Sequence, residues 1–202
     1  MSAEAAERRE IAAGAGLASL GVLITGLVGL VIMAVLTRLA KESGAFTRND
    51  LAVFQIVYLI QDTVSTLLPL GLPAALTYFL PRRAPGEGRA LGFWIGVALF
   101  GLTIPVALAL PIIGPMVSSD PAQVVAFRYL ALYLLMDLPG QALTGYYLAG
   151  FRYRAFFVVT VVFALSRLAS LVIPAALGAP FTTMLAAFTA VAGLRLAWFL
   201  GV

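Results

Sequence analysis

The chain has 202 residues, of which 62% are hydrophobic and only 11% charged, with a mean hydropathy of +1.03 and a net charge of +4. A soluble globular domain carries roughly a quarter charged residues, so this composition excludes one and points to a chain that lives in lipid. There is no His and no Cys, which removes disulfides, thiolate nucleophiles, Ser-His pairs and His- or Cys-ligated zinc, haem and iron–sulfur centres.

The basic balance is no sign of nucleic acid, and no nucleic-acid partner is expected. The Lys and Arg residues are scattered between apolar runs, where they anchor segment ends at membrane edges, and no aromatic-interleaved stripe gathers them. Three runs are free of charge from Ile11 to Thr37, from Ala90 to Ser119 and from Leu168 to Leu194. Each exceeds the roughly 20 residues that cross a hydrocarbon core about 30 Å thick. The first run is too long for the apolar core of a secretory signal, and the stretch before it, Glu4 to Glu10, is mixed in sign.

Breaks in hydrophobicity at Arg38 to Asp50, Arg82 to Arg89, Gly114 to Pro121, Phe151 to Arg154 and Gly178 to Pro180 divide the chain. The expected fold class is an all-α membrane protein, a six-transmembrane-helix bundle. Its segments fall near 12–38, 51–80, 90–113, 122–149, 155–177 and 180–202, behind a cytoplasmic N-terminal segment, 1–11. Barrel strands are disfavoured because the segments lack a ten-residue alternation.

The first segment aligns Gly14, Ala18, Gly21, Thr25 and Gly29, a small-residue face that lets a neighbouring backbone approach. Gly92 and Gly96 of the third segment read the same way. Asn49-Asp50 before the second segment and Ser119-Asp120-Pro121 before the fourth supply acceptors for free amides, with Pro121 suited to a first helical position. Along the second segment Gln55, Tyr58, Asp62, Ser65 and Pro69 recur at steps of three or four and share one polar face. The fourth segment repeats this with Tyr129, Tyr133, Asp137, Gln141 and Thr144, and the fifth carries Arg167 with Ser170 and Pro174. Prolines 69, 73, 105, 111, 139 and 174 are expected to bend their helices.

Charge at mid-bilayer costs at least about 2.5–3.5 kcal/mol, so Asp62, Asp137 and Arg167 must face a bundle interior or a wet cavity. Two roles stand open for them: an ion pair of Arg167 with Asp137 or Asp62 that holds helices together, or contact with a substrate or coupling ion. Arg128 and Arg195, nearer the segment ends, are placed to reach headgroups. The basic residues outside the segments fall Arg8, Arg9, Arg82, Arg83, Arg89, Arg152 and Arg154 on one side against Arg38, Lys41 and Arg48 on the other, which puts the N-terminus in the cytoplasm.

Three stretches carry a family resemblance. Thr37-Arg38-Leu39-Ala40 with Gly44-Ala45-Phe46, then Gly71-Leu72-Pro73-Ala74-Ala75-Leu76-Thr77-Tyr78-Phe79-Leu80-Pro81-Arg82, resemble the N-terminal region of polysaccharide-transporter flippases. These belong to the multidrug/oligosaccharidyl-lipid/polysaccharide (MOP) exporter superfamily. Gly145-Tyr146-Tyr147-Leu148-Ala149-Gly150-Phe151-Arg152-Tyr153-Arg154-Ala155 looks like that family's basic turn between its fourth and fifth helices.

The resemblance implies one lobe of a MOP/MATE-like two-lobe transporter that exports or flips a lipid-linked oligosaccharide or polysaccharide precursor, as in lipopolysaccharide synthesis, across the cell membrane by alternating access. A second six-helix lobe is then expected in the full-length protein, or a dimer of half-transporters. Under that reading Arg167, with Arg128 or Arg195, attracts the diphosphate, while Tyr133, Gln141 and Gln55 bond sugar hydroxyls. No cofactor is expected, and coupling to H+ or Na+ enters through Asp62 or Asp137. The alternatives are a multidrug-type cation antiporter of the same superfamily, disfavoured by the absence of an acid from Ile11 to Thr37, an intramembrane enzyme using an Asp62–Asp137 dyad, and a non-transporting assembly protein. A hydrated groove on one face favours transport and a dry closed bundle favours a scaffold.

Overall fold

Hydrophobic runs of this length satisfy their backbone in lipid only as helices, because every amide must find its partner within the segment. The computed structural model describes residues 3–42, 46–82, 87–117 and 119–201, and these are almost entirely helical. In chain order the helices are α1 (Ala3–Glu42), α2 (Arg48–Leu67), α3 (Leu72–Phe79), α4 (Glu87–Val117), α5 (Pro121–Ala149), α6 (Tyr153–Ala176) and α7 (Phe181–Gly201), with a short 3-10 turn at Leu80–Arg82 after α3. Six spans are long and apolar enough to cross a bilayer, α2 and α3 together making the second. Their outer faces expose large apolar side chains such as Leu30, Leu59, Leu108 and Leu194, the surface a multi-pass membrane protein presents to lipid.

Helix α5 is the centre of the bundle. It packs against α4, α7, α3, α2 and α6, while α1 lies along α6. Leu130, Leu134, Leu138, Ala142 and Leu143 of α5 are all but inaccessible, and they join Leu36, Phe54, Leu171, Met184 and Phe188 from the surrounding helices in the apolar interior. An ordinary amphipathic pattern is missing from α5 because almost every face meets a neighbour.

Several expectations change in detail. The first segment is longer than 12–38 at both ends, since the helix already runs from Ala3 and continues to Glu42. The second, expected as one piece over 51–80, is broken. Its helix stops at Leu67, and Leu70 and Gly71 take left-handed φ values of 48° and 76° before the chain restarts at Leu72. Gly71 adopts this conformation without steric cost, and Pro69 cannot donate the amide that would continue α2. The Leu72 amide instead closes a tight turn onto the Pro69 carbonyl at 2.8 Å. Pro105, Pro111, Pro139 and Pro174 remain inside continuous helices, as does Pro115.

The cap of α2 is Thr47 rather than Asn49-Asp50. The Asp50 amide donates to Thr47 Oγ1 at 3.1 Å and the Thr47 amide donates back to Asp50 Oδ2 at 2.9 Å, a reciprocal capping box. Asn49 reaches elsewhere, donating to Asp120 Oδ2 at 2.9 Å and so tying the start of α2 to the start of α5. Asp120 caps α5 as expected, accepting from the Ala122 amide at 2.9 Å with Pro121 following. The Asn49 amide and then the Ala122 amide stabilise its charged form and hold its carboxyl below the ordinary value.

The glycines of α1 admit rings rather than a neighbouring backbone. A Cβ on Gly14 would collide with the Tyr153 ring, and one on Gly21 would touch Phe157 and Phe156. Gly92 and Gly96 likewise seat Tyr146 and Phe199. The close backbone approach occurs on α5, where a Cβ on Gly145 would stand 2.7 Å from the Pro73 carbonyl oxygen of α3. Gly145→Ala should therefore force α3 away and lower stability by about 1–3 kcal/mol, the range of overpacking substitutions. Gly101→Ala, where a Cβ meets nothing, should leave the thermal unfolding midpoint in detergent unchanged or slightly raised. Equal midpoints for both variants would contradict the α3–α5 contact.

Candidate functional site

The break between α2 and α3 opens a groove on one face of α5. Its volume is about 620 Å³. Gln61, Asp62 and Ser65 line it from α2, Ala74 and Thr77 from α3, Asp137, Gln141 and Thr144 from α5, Arg167 from α6 and Arg195 from α7. Leu148 and Phe156 close one wall with apolar surface.

Asp137 and Arg195 form the fixed centre. Arg195 Nη1 lies 3.0 Å from Asp137 Oδ1, and its Nη2 donates to Thr144 Oγ1 at 2.7 Å. Gln141 donates to the second carboxylate oxygen at 3.4 Å, a long contact. The acid, the amide and the hydroxyl sit on one face of α5 because 137, 141 and 144 are spaced by four and three. Glycine at position 140 leaves room for the Arg195 side chain to pass. A Cβ there would lie 3.1 Å from Arg195 Cγ and 3.3 Å from Cδ, in the path of the side chain. The guanidinium also stands over the Phe163 ring at 5.8 Å.

Arg167 is held differently. Its guanidinium lies over the rings of Tyr133 and Phe188, 5.6 Å and 5.2 Å from their centroids, within the reach of a cation–π attraction. Those two rings stack at 4.4 Å, 7° from parallel, and make a flat platform. No acid among the described residues comes within ion-pair distance of Arg167, and its Nη2 has no hydrogen-bond partner although it is buried. Of the two roles left open, the ion pair of Arg167 with Asp137 or Asp62 is not formed among the described residues, and Asp137 pairs with Arg195 instead. Arg195, expected to reach headgroups, turns inward because Gly140 clears its route and α5 offers it an acid.

Beside Arg167 lies a smaller, partly open chamber of about 90 Å³, lined by residues of α5, α6 and α7 and by Thr25 of α1. It shares Asp137, Thr144, Arg167 and Arg195 with the groove. Tyr133 lines this chamber and not the groove.

Of the residues singled out from sequence, Arg167, Asp137, Asp62, Gln141 and Arg195 meet in the groove, with Tyr133 adjoining. Gln55 and Arg128 are exposed and lie outside it. Gln61 escaped the sequence reading, although Tyr58, Gln61 and Ser65 also recur at three and four. It is 5% exposed, with its Oε1 unpartnered, whereas Gln55 lies exposed. Thr77 and Thr160 were also missed and Thr25 was read only as part of a small-residue face, since threonine in a spanning helix ordinarily bonds its own backbone, as Thr25 does to the Gly21 carbonyl at 3.0 Å. Of the motifs that carried the family resemblance, Gly44 and Ala45 lie outside the described residues.

Among the described residues no three carboxylates gather into a metal-binding group. Comparison of the chain with protein-family models, with curated proteins and with solved structures finds no match.

The ion pair makes a measurable claim. Asp137→Asn or Arg195→Met alone leaves an uncompensated charge between helices, and each should cost about 1–3 kcal/mol, below the usual range for a buried pair because the Arg195 side chain keeps 18% of its surface exposed. The double variant should recover most of that loss, giving a positive coupling in a thermal-unfolding cycle. Additive losses for this pair, or stronger coupling between Asp137 and Arg167, would contradict the assignment.

Proposed function

We propose that the chain is one lobe of a MOP/MATE-like two-lobe transporter that moves a lipid-linked oligosaccharide across the cell membrane by alternating access, with its N-terminus and the Phe151 to Arg154 turn in the cytoplasm. The observation that carries this reading is the groove itself, with the unpaired guanidinium of Arg167 at its inner wall. A closed structural bundle has no use for a cation that finds no acid, since a buried donor without a partner costs about 1–3 kcal/mol and more when charged. A headgroup that arrives and leaves gives that donor a partner for part of each cycle.

The chemistry of such a substrate suits this wall. Its diphosphate needs a fixed cation, and the aromatic platform beneath Arg167 orients the planar guanidinium without consuming its hydrogen bonds. Sugar hydroxyls need amides and hydroxyls at several depths, which Gln61, Ser65, Thr77 and Gln141 offer. The polyprenyl chain needs only lipid, which the outer faces of the helices adjoin. Asp62, on the groove wall without an ion-pair partner among the described residues, is the acid available to a coupling H+ or Na+, because Asp137 is committed to Arg195. That same free acid is what a cation antiporter would use, and it keeps cation antiport as the second reading.

Flipping of a fluorescent polyprenyl-diphosphate oligosaccharide by the full-length protein in vesicles, read by quencher accessibility, separates the roles. Arg167→Ala should slow flipping about tenfold or more while the protein still accumulates, the effect of losing one charge-assisted bond. Arg167→Lys should keep part of the activity as a point charge, and Asp137→Asn should not restore it. A normally folded Arg167→Ala protein with full flipping activity would remove the substrate role, and flipping lost only on Asp62→Asn, together with uptake of organic cations, would favour antiport.

A further inference from the structure

Four buried polar atoms without hydrogen-bond partners converge on the small chamber behind the groove. They are Arg167 Nη2, Arg195 Nε, Thr160 Oγ1 and the Tyr133 hydroxyl, and all four residues line that chamber. Three helices contribute them, so no accident of one helix's local geometry explains the set. Guanidinium nitrogens only donate, and they cannot shed their charge at any ordinary pH. Both hydroxyls can donate as well. Apart from Asp137, which stands near the Tyr133 hydroxyl, the chamber therefore presents donors without a matching acceptor.

Its charge is equally lopsided. Two guanidiniums border it against the single carboxylate of Asp137, whose oxygens already receive Arg195 Nη1 and, at longer range, Gln141. Among the chamber's own lining one positive charge is left over, Asp62 facing Arg167 only from the groove, and the rest of the wall is residues such as Val159, Phe163 and Val191. A volume of about 90 Å³ is well below the roughly 150 Å³ of a cavity that takes up benzene. That is too little for a sugar. Water alone would satisfy the donors but leave the charge uncompensated in a low-dielectric setting, where pairing matters most.

We infer that this chamber is a binding site for a small monovalent inorganic anion of the halide class, held by Arg167 and Arg195 with the hydroxyls of Thr160 and Tyr133. The ion enters from the groove, with which the chamber shares both arginines. Bound there, it neutralises the inner wall while the groove is empty and fixes α6 against α7. The site shares Arg167 Nη2 with the diphosphate contact proposed above, so the two occupy that donor in turn, while Arg195 Nε and Thr160 Oγ1 belong to the chamber and not to that contact.

The test needs no transport assay, so its failure is distinct from failure of the glycan reading. The thermal unfolding midpoint of the full-length protein in detergent is measured against sodium chloride, bromide, phosphate and pyrophosphate, with gluconate holding ionic strength constant. Chloride and bromide should raise it saturably by about 2–4 °C, with little effect of the phosphates. Thr160→Val, which keeps the volume and removes one donor, should shift the chloride half-point upward about threefold to tenfold, a neutral hydrogen bond's worth. Arg167→Gln should abolish the response, and if that variant does not fold, Thr160→Val alone decides the matter. Three results would overturn the site: a midpoint insensitive to the anion, a chloride response that Thr160→Val leaves unchanged, or stabilisation by phosphate or pyrophosphate with chloride silent, which would assign the chamber to the substrate's own phosphate.

Discussion

A charge cannot face lipid, and that prohibition shapes this bundle around α5. Asp137 stands near the middle of the most enclosed helix, so some other helix must bring it a cation. Arg195 of α7 does so across the bare backbone of Gly140. Around that pair α5 and α7 pack directly against each other. Arg167, with no acid within ion-pair distance among the described residues, lies instead over the Tyr133 and Phe188 rings. The groove and its orphaned cation are two consequences of one pairing choice.

The second device is the interruption of the second span. Pro69, Leu70 and Gly71 end α2 and let α3 set off in a new direction, and Gly145 accepts the approach of Pro73 on α5. A continuous helix would lay its polar stripe against α5 and close the space. The broken one leaves Asp62 and Ser65 on one wall and Gln141 and Thr144 on the other. The conformational freedom of Gly71 and the missing side chain of Gly145 therefore bear directly on the function proposed for the groove.

Much of this was legible in the residues. Six apolar runs fixed the number of spans, since hydrogen bonding in lipid permits little else. The stripe from Tyr133 to Thr144 marked the face of α5 that bears the site, because helical periodicity is independent of neighbours. Asp120 and Pro121 marked the start of α5 by local chemistry alone. What could not be read was which cation meets which acid. That depends on how α6 and α7 are rotated against α5, set by ring packing such as Phe188 on Tyr133. Depth along a helix suggested Arg167 as the partner of Asp137, and lateral geometry chose Arg195. Gln55 and Gln61 show the same limit, since one stripe includes Gln55 while a slightly rotated one includes Gln61, and the contact with α5 selects the second.

The central claim is that a hydrated polar groove runs between α2, α3 and α5 within the membrane. Because the native chain has no cysteine, single cysteines can be placed at Ser65, Thr77 and Gln141 on the groove wall and at Leu59, Leu132 and Val162 on exposed apolar faces. Labelling of the protein in vesicles with a membrane-impermeant, water-soluble maleimide then reads hydration directly. The groove positions should react at least about tenfold faster than the lipid-facing ones, since the thiolate that reacts needs water around it. Equal, slow labelling at all six positions would mean a dry bundle and would contradict the account.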